Sequence, residues 1–250
     1  MKRIRALVFL LFGLGLISAF GASSSTSATM DAFVTTGLAG NLVNNNYGGG
    51  GSLTFGAPGV DAGEAQSVLQ FNLGGAVSAF NAQFGAGQWS IDSVRLQFTA
   101  APANNAIFNS PAAGGFGISW MQNDSWQEGT GTPASPGTTG ITFSSLQSTF
   151  IGANDENLGT FSFDGATSGA HAYTLGLTPG FLNDVQSGNN VSLRLFANDS
   201  SVAAVFNSRN FSIVGSRPLL TVVAVPEPGT IALATLGVIL ASIWKLHARR

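Results

Sequence analysis

The sequence predicts a mainly β protein: a single antiparallel β-sandwich or jelly roll, flanked by an N-terminal signal peptide and a C-terminal transmembrane helix. Many short segments alternate apolar and polar residues, which is the pattern of strands that bury one face. Turns rich in Gly, Pro and Asn separate these segments, as in sandwiches and jelly rolls. An apolar segment with basic neighbours also lies at each end of the chain.

The alternating segments lie between residues 31 and 225. The clearest predicted strands are residues 69–73, 94–98, 161–163, 173–177 and 191–195. Less regular stretches add predicted strands at residues 31–36, 52–55, 118–122, 202–206, 211–214 and 219–225. Short helices are predicted at residues 77–84 and 179–185. Because neither a repeat nor a linker interrupts the series, residues 30–224 are predicted to form one domain.

The N-terminal segment has the parts of a secretory signal peptide. A basic start is followed by the apolar residues 6–17 and by a small-x-small sequence that ends at Gly21. Residues 1–21 are therefore predicted to direct export and to be removed. The polar residues 22–29 that follow are expected to form a flexible leader.

The C-terminal segment, VPEPGTIALATLGVILASIWKLHARR, combines a proline-locked start, a short apolar stretch and a basic end. Pro226 and Pro228 fix φ and prevent a helix from running through from upstream. A helix over about residues 229–246 would rise close to 28 Å with Pro228 included, near the roughly 30 Å of bilayer hydrocarbon. Because the apolar stretch is short, a buried core helix or a C-terminal strand is the alternative. Three basic residues are expected to stop transfer on the cytoplasmic side: Lys245, Arg249 and Arg250.

The order of these parts resembles the PEP-CTERM sorting signal of Gram-negative bacteria. Val225, Pro226, Glu227 and Pro228 match the recognition motif of that signal residue for residue. The resemblance implies an inner-membrane-tethered precursor. An exosortase, a membrane-bound transpeptidase similar to cysteine proteases, would process it for the cell surface or the extracellular matrix.

The charge distribution excludes nucleic acid as a partner. Between residues 22 and 224, four arginines oppose eleven carboxylates, which gives a formal charge of −7. Such a domain lacks the cationic surface that nucleic-acid binding requires. The chain also has no cysteine, so it offers no disulfide, cysteine nucleophile or thiolate metal ligand.

Five short motifs within the predicted domain resemble the DNRLRE family. In chain order they are NYGG at 46–49, SVLQFNL at 67–73, WQEG at 126–129, FNSR at 206–209 and PLLTV at 218–222. The family consists of β-sandwich modules of secreted and surface proteins, similar to carbohydrate-binding modules, so the resemblance implies a sandwich here. Gln70, Asn72 and Asn210 replace charged residues that are usual in the family, so no charged site is carried over at these positions.

The densest cluster of residue types suited to sugar binding is WMQNDSWQE at residues 120–128. Sugar binding requires aromatic faces for the pyranose rings and polar groups for their hydroxyls. The candidate sugar-binding residues are Tyr47, Trp120, Asn123, Asp124, Trp126 and Glu128. The alternative is structural: Trp120 would belong to the core of an alternating strand, and Trp126 would fix a loop.

No residue set predicts a catalytic site, a metal or a cofactor. Three close carboxylate pairs lie in turn-like sequence, where acids usually accept backbone N–H groups: Asp61 with Glu64, Asp124 with Glu128, and Asp155 with Glu156. His171 has no nucleophile motif near it and is expected to be an ordinary surface histidine. Arg209 lies between Phe206 and Phe211, and it is expected to form a structural ion pair because an unpaired buried charge is costly.

Together these observations predict a non-enzymatic, exported protein of the cell surface or extracellular matrix, structural or associated with polysaccharide. Its expected partners are an exosortase-type transpeptidase, the membrane through the C-terminal helix, and extracellular polysaccharide. Two alternatives stay open: a carbohydrate-binding module with a sugar site near residues 120–128 and, less favoured, a polysaccharide-cleaving enzyme.

Overall fold

The computed structural model describes residues 21–227. The predicted signal peptide lies outside these residues apart from Gly21, as do Pro228 and the predicted transmembrane helix at residues 229–246. The basic residues Lys245, Arg249 and Arg250 lie outside them too. Among the helices of residues 21–227, none has the length and apolar character needed to cross a membrane.

The described chain is built mainly from strands. They are β1 (Ala22–Ser27), β2 (Met30–Thr35), β3 (Ser52–Gly56), β4 (Ala65–Asn72), β5 (Trp89–Thr99), β6 (Gly114–Met121), β7 (Glu156–Phe163), β8 (Ala170–Leu175), β9 (Asn190–Ala197), β10 (Ala203–Asn207) and β11 (Leu219–Pro226). The helices are α1 (Gly74–Phe84), α2 (Phe143–Ser145, continued by a π-helical turn at Leu146–Phe150) and α3 (Pro179–Ser187), with a 3₁₀ turn at Val214–Ser216.

Two antiparallel sheets make a β-sandwich-like fold. The smaller sheet has the order β1-β11-β5-β8, and the larger one has the order β10-β3-β4-β9-β6-β7, with β2 also paired to β4. Strand β4 pairs with β2 from Ala65 to Gln70 but with β3 only at Ala65, where Thr35 of β2 and Gly56 of β3 are both partners of the same residue. The predicted mainly β, antiparallel fold is confirmed.

The core lies where apolar rows of the two sheets face each other. In the smaller sheet, Val94, Leu96 and Phe98 of β5 are fully buried. Phe98 stacks on Phe206 of β10 with ring centroids 4.9 Å apart, which links the two sheets. Burial of a side chain of this size stabilises the fold by about 1.5–3 kcal/mol. The inward residues of the larger sheet are Leu53, Phe55, Leu69, Phe71, Phe116, Ile118, Leu193, Leu195 and Phe206.

The larger sheet is also covered on its outer face. The connection between β6 and β7 folds back over β2 and β4, where it forms a second apolar layer. Its buried members are Ala32, Val34, Val68, Met121, Trp126, Ile141 and Leu146. Strands β2 and β4 are therefore buried on both faces, and this long connection is packed rather than free.

Residues 22–29 are not a flexible leader, because most of them form strand β1. Ala22–Ser27 pairs with β11 residue by residue, from Ala22 opposite Ala224 to Ser27 opposite Leu219. The Ser25 hydroxyl also lies 2.8 Å from the Thr221 hydroxyl. An edge strand can be held by backbone hydrogen bonds without a continuous apolar face. A serine-rich segment can therefore form β1.

Residues 211–214 do not form the predicted strand. The segment forms local turns instead: the Phe211 N–H donates to Ser208 O, and the Ser216 N–H donates to Ile213 O. Arg217 reinforces the turn through Nε to Phe211 O at 2.8 Å. Ile213 and Val214 are consequently 60% and 66% exposed, so their apolar character does not mark a core strand.

Candidate functional site

Arg209 and Glu128 form an ion pair between two connecting segments. The guanidinium donates from Nε to Glu128 Oε1 at 2.5 Å and from Nη2 to Glu128 Oε2. The Arg209 and Glu128 side chains are 33% and 12% exposed, so water only partly reaches the pair. This bidentate geometry is the strong form of an arginine–carboxylate contact. The prediction that Arg209 forms a structural ion pair is confirmed.

Asp31 joins this pair from the start of β2, and the three residues are called the carboxylate–arginine cluster. The backbone N–H of Asp31 donates to Glu128 Oε1 at 3.0 Å. Asp31 Oδ2 accepts a hydrogen bond from the backbone N–H of Arg209 at 2.6 Å. Asp31 is only 1% exposed, and its Oδ1 has no hydrogen-bond partner among residues 21–227. Burial raises the pKa of Asp31 to about 7, against the opposing hydrogen bond from Arg209 and with a further increase from the Glu128 carboxylate.

Asn46 connects the same region to two further segments. Its Nδ2 donates to Glu128 O at 2.7 Å and to Ile141 O at 2.8 Å. Its Oδ1 accepts the N–H groups of Gly48 and Gly131, each at 3.2 Å. A buried amide that uses both its donors and its acceptor in this way fixes the chain segments around it.

Glycines allow these segments to approach closely. A Cβ atom at Gly48 would lie 1.9 Å from Glu128 O, and one at Gly131 would lie 1.9 Å from Asn46 O. No larger residue fits at either position without moving the backbone. The NYGG, WQEG and FNSR motifs therefore meet at one place, and the Asn210 side chain extends the contact by donating to Gly48 O at 2.9 Å.

The three aromatic candidates for sugar binding are buried. Tyr47 is 2% exposed and stacks on Phe33 with ring centroids 4.7 Å apart. Trp126 is fully buried in the layer outside the larger sheet, and its Nε1 donates to the Ser192 hydroxyl at 2.9 Å. Trp120 is 5% exposed. A pyranose ring needs an open aromatic face, so these rings as placed here match the structural alternative.

The polar sugar-binding candidates do not form one site. Asn123 and Asp124 line a shallow surface depression with Gln122 and Ser125. The Asn123 Oδ1 accepts the Ser125 N–H at 3.0 Å, which closes a local turn. Burial raises the pKa of Asp124, against opposing hydrogen bonds from Ser192. Glu128 belongs instead to the carboxylate–arginine cluster.

Carboxylates outside the cluster hold turns and a helix end. Glu156 accepts the Thr178 hydroxyl at 2.5 Å and the N–H groups of Gly180 and Phe181 at 2.9 and 3.0 Å, so it caps the start of α3. Asp155 accepts the Gln122 and Gly152 N–H groups. Among residues 21–227, no three His, Cys, Asp or Glu side chains are grouped to hold a metal ion.

Two features of this region have no signal in the local sequence. The partner of Arg209 could not be named, because Glu128 and Asp31 are 81 and 178 residues away in the chain. Arg194 also lies over the Phe196 ring at 4.4 Å while its Nε donates to Gln66 Oε1 at 2.7 Å. The period-two position of Arg194 on β9 signals an outward side chain, but its contacts had no sequence signal.

No protein-family model matches the chain, and no curated protein matches it either. Apart from Asp31 Oδ1, the charged groups of the carboxylate–arginine cluster are hydrogen-bonded to one another, and they join β2, the Glu128 segment and the segment after β10. Such an arrangement anchors loops.

Removing either partner of the ion pair is expected to destabilise the fold. Glu128→Ala leaves the Arg209 guanidinium and the Asp31 N–H without an acceptor, so the free energy of unfolding should fall by about 2–4 kcal/mol. Arg209→Ala should cost a similar amount. Urea unfolding of both single variants and the double variant measures the coupling.

The double variant should lose less than the sum of the single variants, because neither partner of the ion pair is then left without the other. Asp92→Ala, which removes an exposed carboxylate, is the matched control and should change stability by less than about 0.5 kcal/mol. Additive losses would show that the two side chains act independently and would contradict the anchoring role.

Proposed function

We propose that this chain is a non-enzymatic, exported protein of the bacterial cell surface or extracellular matrix. Its β-sandwich, of the DNRLRE-like type, is a passenger carried by a PEP-CTERM-like tail. An exosortase-type transpeptidase would process a precursor tethered to the inner membrane, and the sandwich would then reside at the surface or in the matrix of a Gram-negative bacterium.

One observation carries this proposal furthest: the last strand of the sandwich runs directly into the sorting motif. Val225 and Pro226 are the final residues of β11, and the Glu227 N–H donates to Gln88 O at 2.9 Å. The strand on the other side, β1, starts opposite Ala224, so the predicted signal peptide and the predicted tail adjoin neighbouring strands at the same end of one sheet. This arrangement suits a domain connected to a membrane through both ends of its precursor.

The internal use of the polar groups supports a structural role. The cluster of Asp31, Glu128 and Arg209 is hydrogen-bonded within itself, and the carboxylates at residues 155 and 156 bind backbone N–H groups. A polysaccharide-cleaving enzyme would need two carboxylates facing a cleft across a sugar, which these contacts do not favour. A sugar site remains the second proposal, and it would depend on the polar residues 122–125 without the three buried rings.

The sorting role has a direct test in a host that carries the processing enzyme. Replacing Pro226, Glu227 and Pro228 by alanine is expected to leave an unprocessed precursor in the membrane fraction, while the wild-type chain matures. Immunoblots of membrane and surface fractions measure the two forms. Ser90→Ala, on the strand beside the motif, is the control. If the triple variant and the wild type mature alike, the sorting assignment is wrong.

A further inference from the structure

Within residues 21–227, the first residues of the sorting motif pair with strand β5 at one end of the smaller sheet. Val225 lies opposite Ser90 and Pro226 opposite Trp89 in the β11–β5 pairing. The Glu227 N–H then donates to Gln88 O at 2.9 Å. Three of the four motif residues are thus paired backbone, whereas an enzyme that cleaves or transfers a peptide chain must take that backbone into its own cleft.

The β5 side of this pairing is fixed. Trp89 is only 8% exposed, and its ring lies 5.1 Å from the Phe80 ring of α1. Its Nε1 also donates to Asn81 Oδ1 at 2.8 Å. Because β5 is anchored to the helix in this way, the motif can be freed only if the end of β11 moves away from it.

The structure also marks where that movement would stop. The pairing of β11 with β5 shifts register between Val223 and Ala224, which is a β-bulge. Ala224 is fully buried and is the last core residue of the strand, whereas Val225 and Pro226 are half-buried. The released segment, residues 225–227, therefore contains no fully buried side chain of its own.

The release of residues 225–227 also breaks few hydrogen bonds. Pro226 has no N–H and cannot donate to the sheet. Each remaining bond contributes about 1 kcal/mol net, so the open form is a minor but accessible state of the native protein, of the kind seen in local fraying.

We infer that the sandwich gates its own processing: the membrane enzyme reads the motif only after residues 225–227 separate from β5. This inference rests on the proposed sorting function. It adds that the rate of maturation depends on the local opening of β11. The folded domain therefore controls processing together with the linear motif.

A cross-strand disulfide tests the gate, because the chain has no cysteine of its own. Val225→Cys with Ser90→Cys joins paired positions beyond the bulge, and Val223→Cys with Ser93→Cys joins paired positions before it. Antiparallel neighbours have Cα atoms about 4.5–5.5 Å apart, which a disulfide accepts. The second pair is the matched control, since it leaves residues 225–227 free to open.

The experiment uses the full chain in membranes that contain the processing enzyme, with and without a thiol reductant. The oxidised 90–225 clamp is expected to mature at least roughly tenfold more slowly than the same variant after reduction. The 93–223 clamp should mature equally in both states. The wild-type chain, run in both conditions, reports any effect of the reductant on the enzyme. If the 90–225 variant matures at a measurable rate that is the same in its oxidised and reduced forms, the gate is overturned.

A second measurement separates this inference from the sorting proposal. Hydrogen exchange at the Glu227 amide, which donates to Gln88 O, reports the opening in the purified full chain, and the 90–225 clamp should slow that exchange roughly tenfold relative to its reduced form. If the cysteine at position 225 blocks the membrane enzyme in both states, this exchange decides, and equal exchange rates overturn the gate. Failure of the sorting function would instead appear as normal maturation of the alanine-substituted motif.

Discussion

Replacing Trp126 by alanine is expected to lower the free energy of unfolding by about 3–5 kcal/mol, as for other large aromatic residues removed from a core. Trp126 is fully buried in the layer outside the larger sheet, with Val34, Val68 and Leu146 as fellow members of that cluster. Its loss opens a cavity and also removes the Nε1 donor from the Ser192 hydroxyl. Urea unfolding followed by far-ultraviolet circular dichroism measures the change.

The matched control is Trp126→Phe, which keeps most of the ring volume but not the N–H group. It should retain much of the stability that the alanine variant loses, with a deficit of about 1–2 kcal/mol. The pair also separates two roles of this residue. If Trp126→Ala unfolds like the wild type and loses only retardation by a polysaccharide, the residue contacts a ligand and its placement in the core is wrong.

The strands could be predicted where alternation in the sequence reflects a buried face. Val94, Leu96 and Phe98 follow that rule, and the structure buries all three. The rule fails in two instructive places. The serine-rich strand β1 is held by backbone pairing at a sheet edge, which leaves no apolar pattern to read. The apolar residues 211–214 fold into exposed turns, because their backbone bonds are local.

The candidate site could be predicted only in part. An ion pair at Arg209 can be predicted because a charged residue lies between two phenylalanines. Its partners Glu128 and Asp31 cannot be predicted, because they are distant in the chain and come close only in the folded protein. The aromatic candidates show the opposite difficulty. Whether Trp126 faces a sugar or a core depends on how the β6–β7 connection folds over β2 and β4, and local sequence carries no information about that packing.

Replacing Asp31 by asparagine is expected to remove a loss of stability that the wild type undergoes as pH rises. The pKa of Asp31 is raised from 3.8 to about 7 in the folded protein, chiefly by burial. Between these values the folded state holds one proton more than the unfolded state, so the free energy of unfolding falls with rising pH. The contribution of Asp31 to the free energy of unfolding is fully present below about pH 4 and is lost by about pH 7. Its total is roughly 4 kcal/mol.

Asparagine cannot ionise, yet its carbonyl oxygen can accept the Arg209 N–H that Asp31 Oδ2 accepts at 2.6 Å. The variant should therefore match the wild type near pH 4 and exceed it by up to a few kcal/mol at pH 8. The charged groups that act on Asp31 are Arg209, Glu128 and Arg217. Glu128 remains paired with Arg209 in both proteins, so the difference between their unfolding curves isolates residue 31.

Asp199→Asn provides a control of opposite sign. The N–H groups of Gly115, Ser201 and Val202 lower the pKa of Asp199, so its contribution is present above the unfolded pKa and lost as pH falls through the folded one. As pH falls, the free energy of unfolding of the wild type should therefore decrease relative to that of Asp199→Asn. As pH rises, it should decrease relative to that of Asp31→Asn. If the wild type and Asp31→Asn differ by the same amount from pH 4 to pH 8, Asp31 does not titrate in that range. The buried carboxyl would then be ionised throughout, held by Arg209, and the cluster would act as a permanent ion pair over that whole pH range.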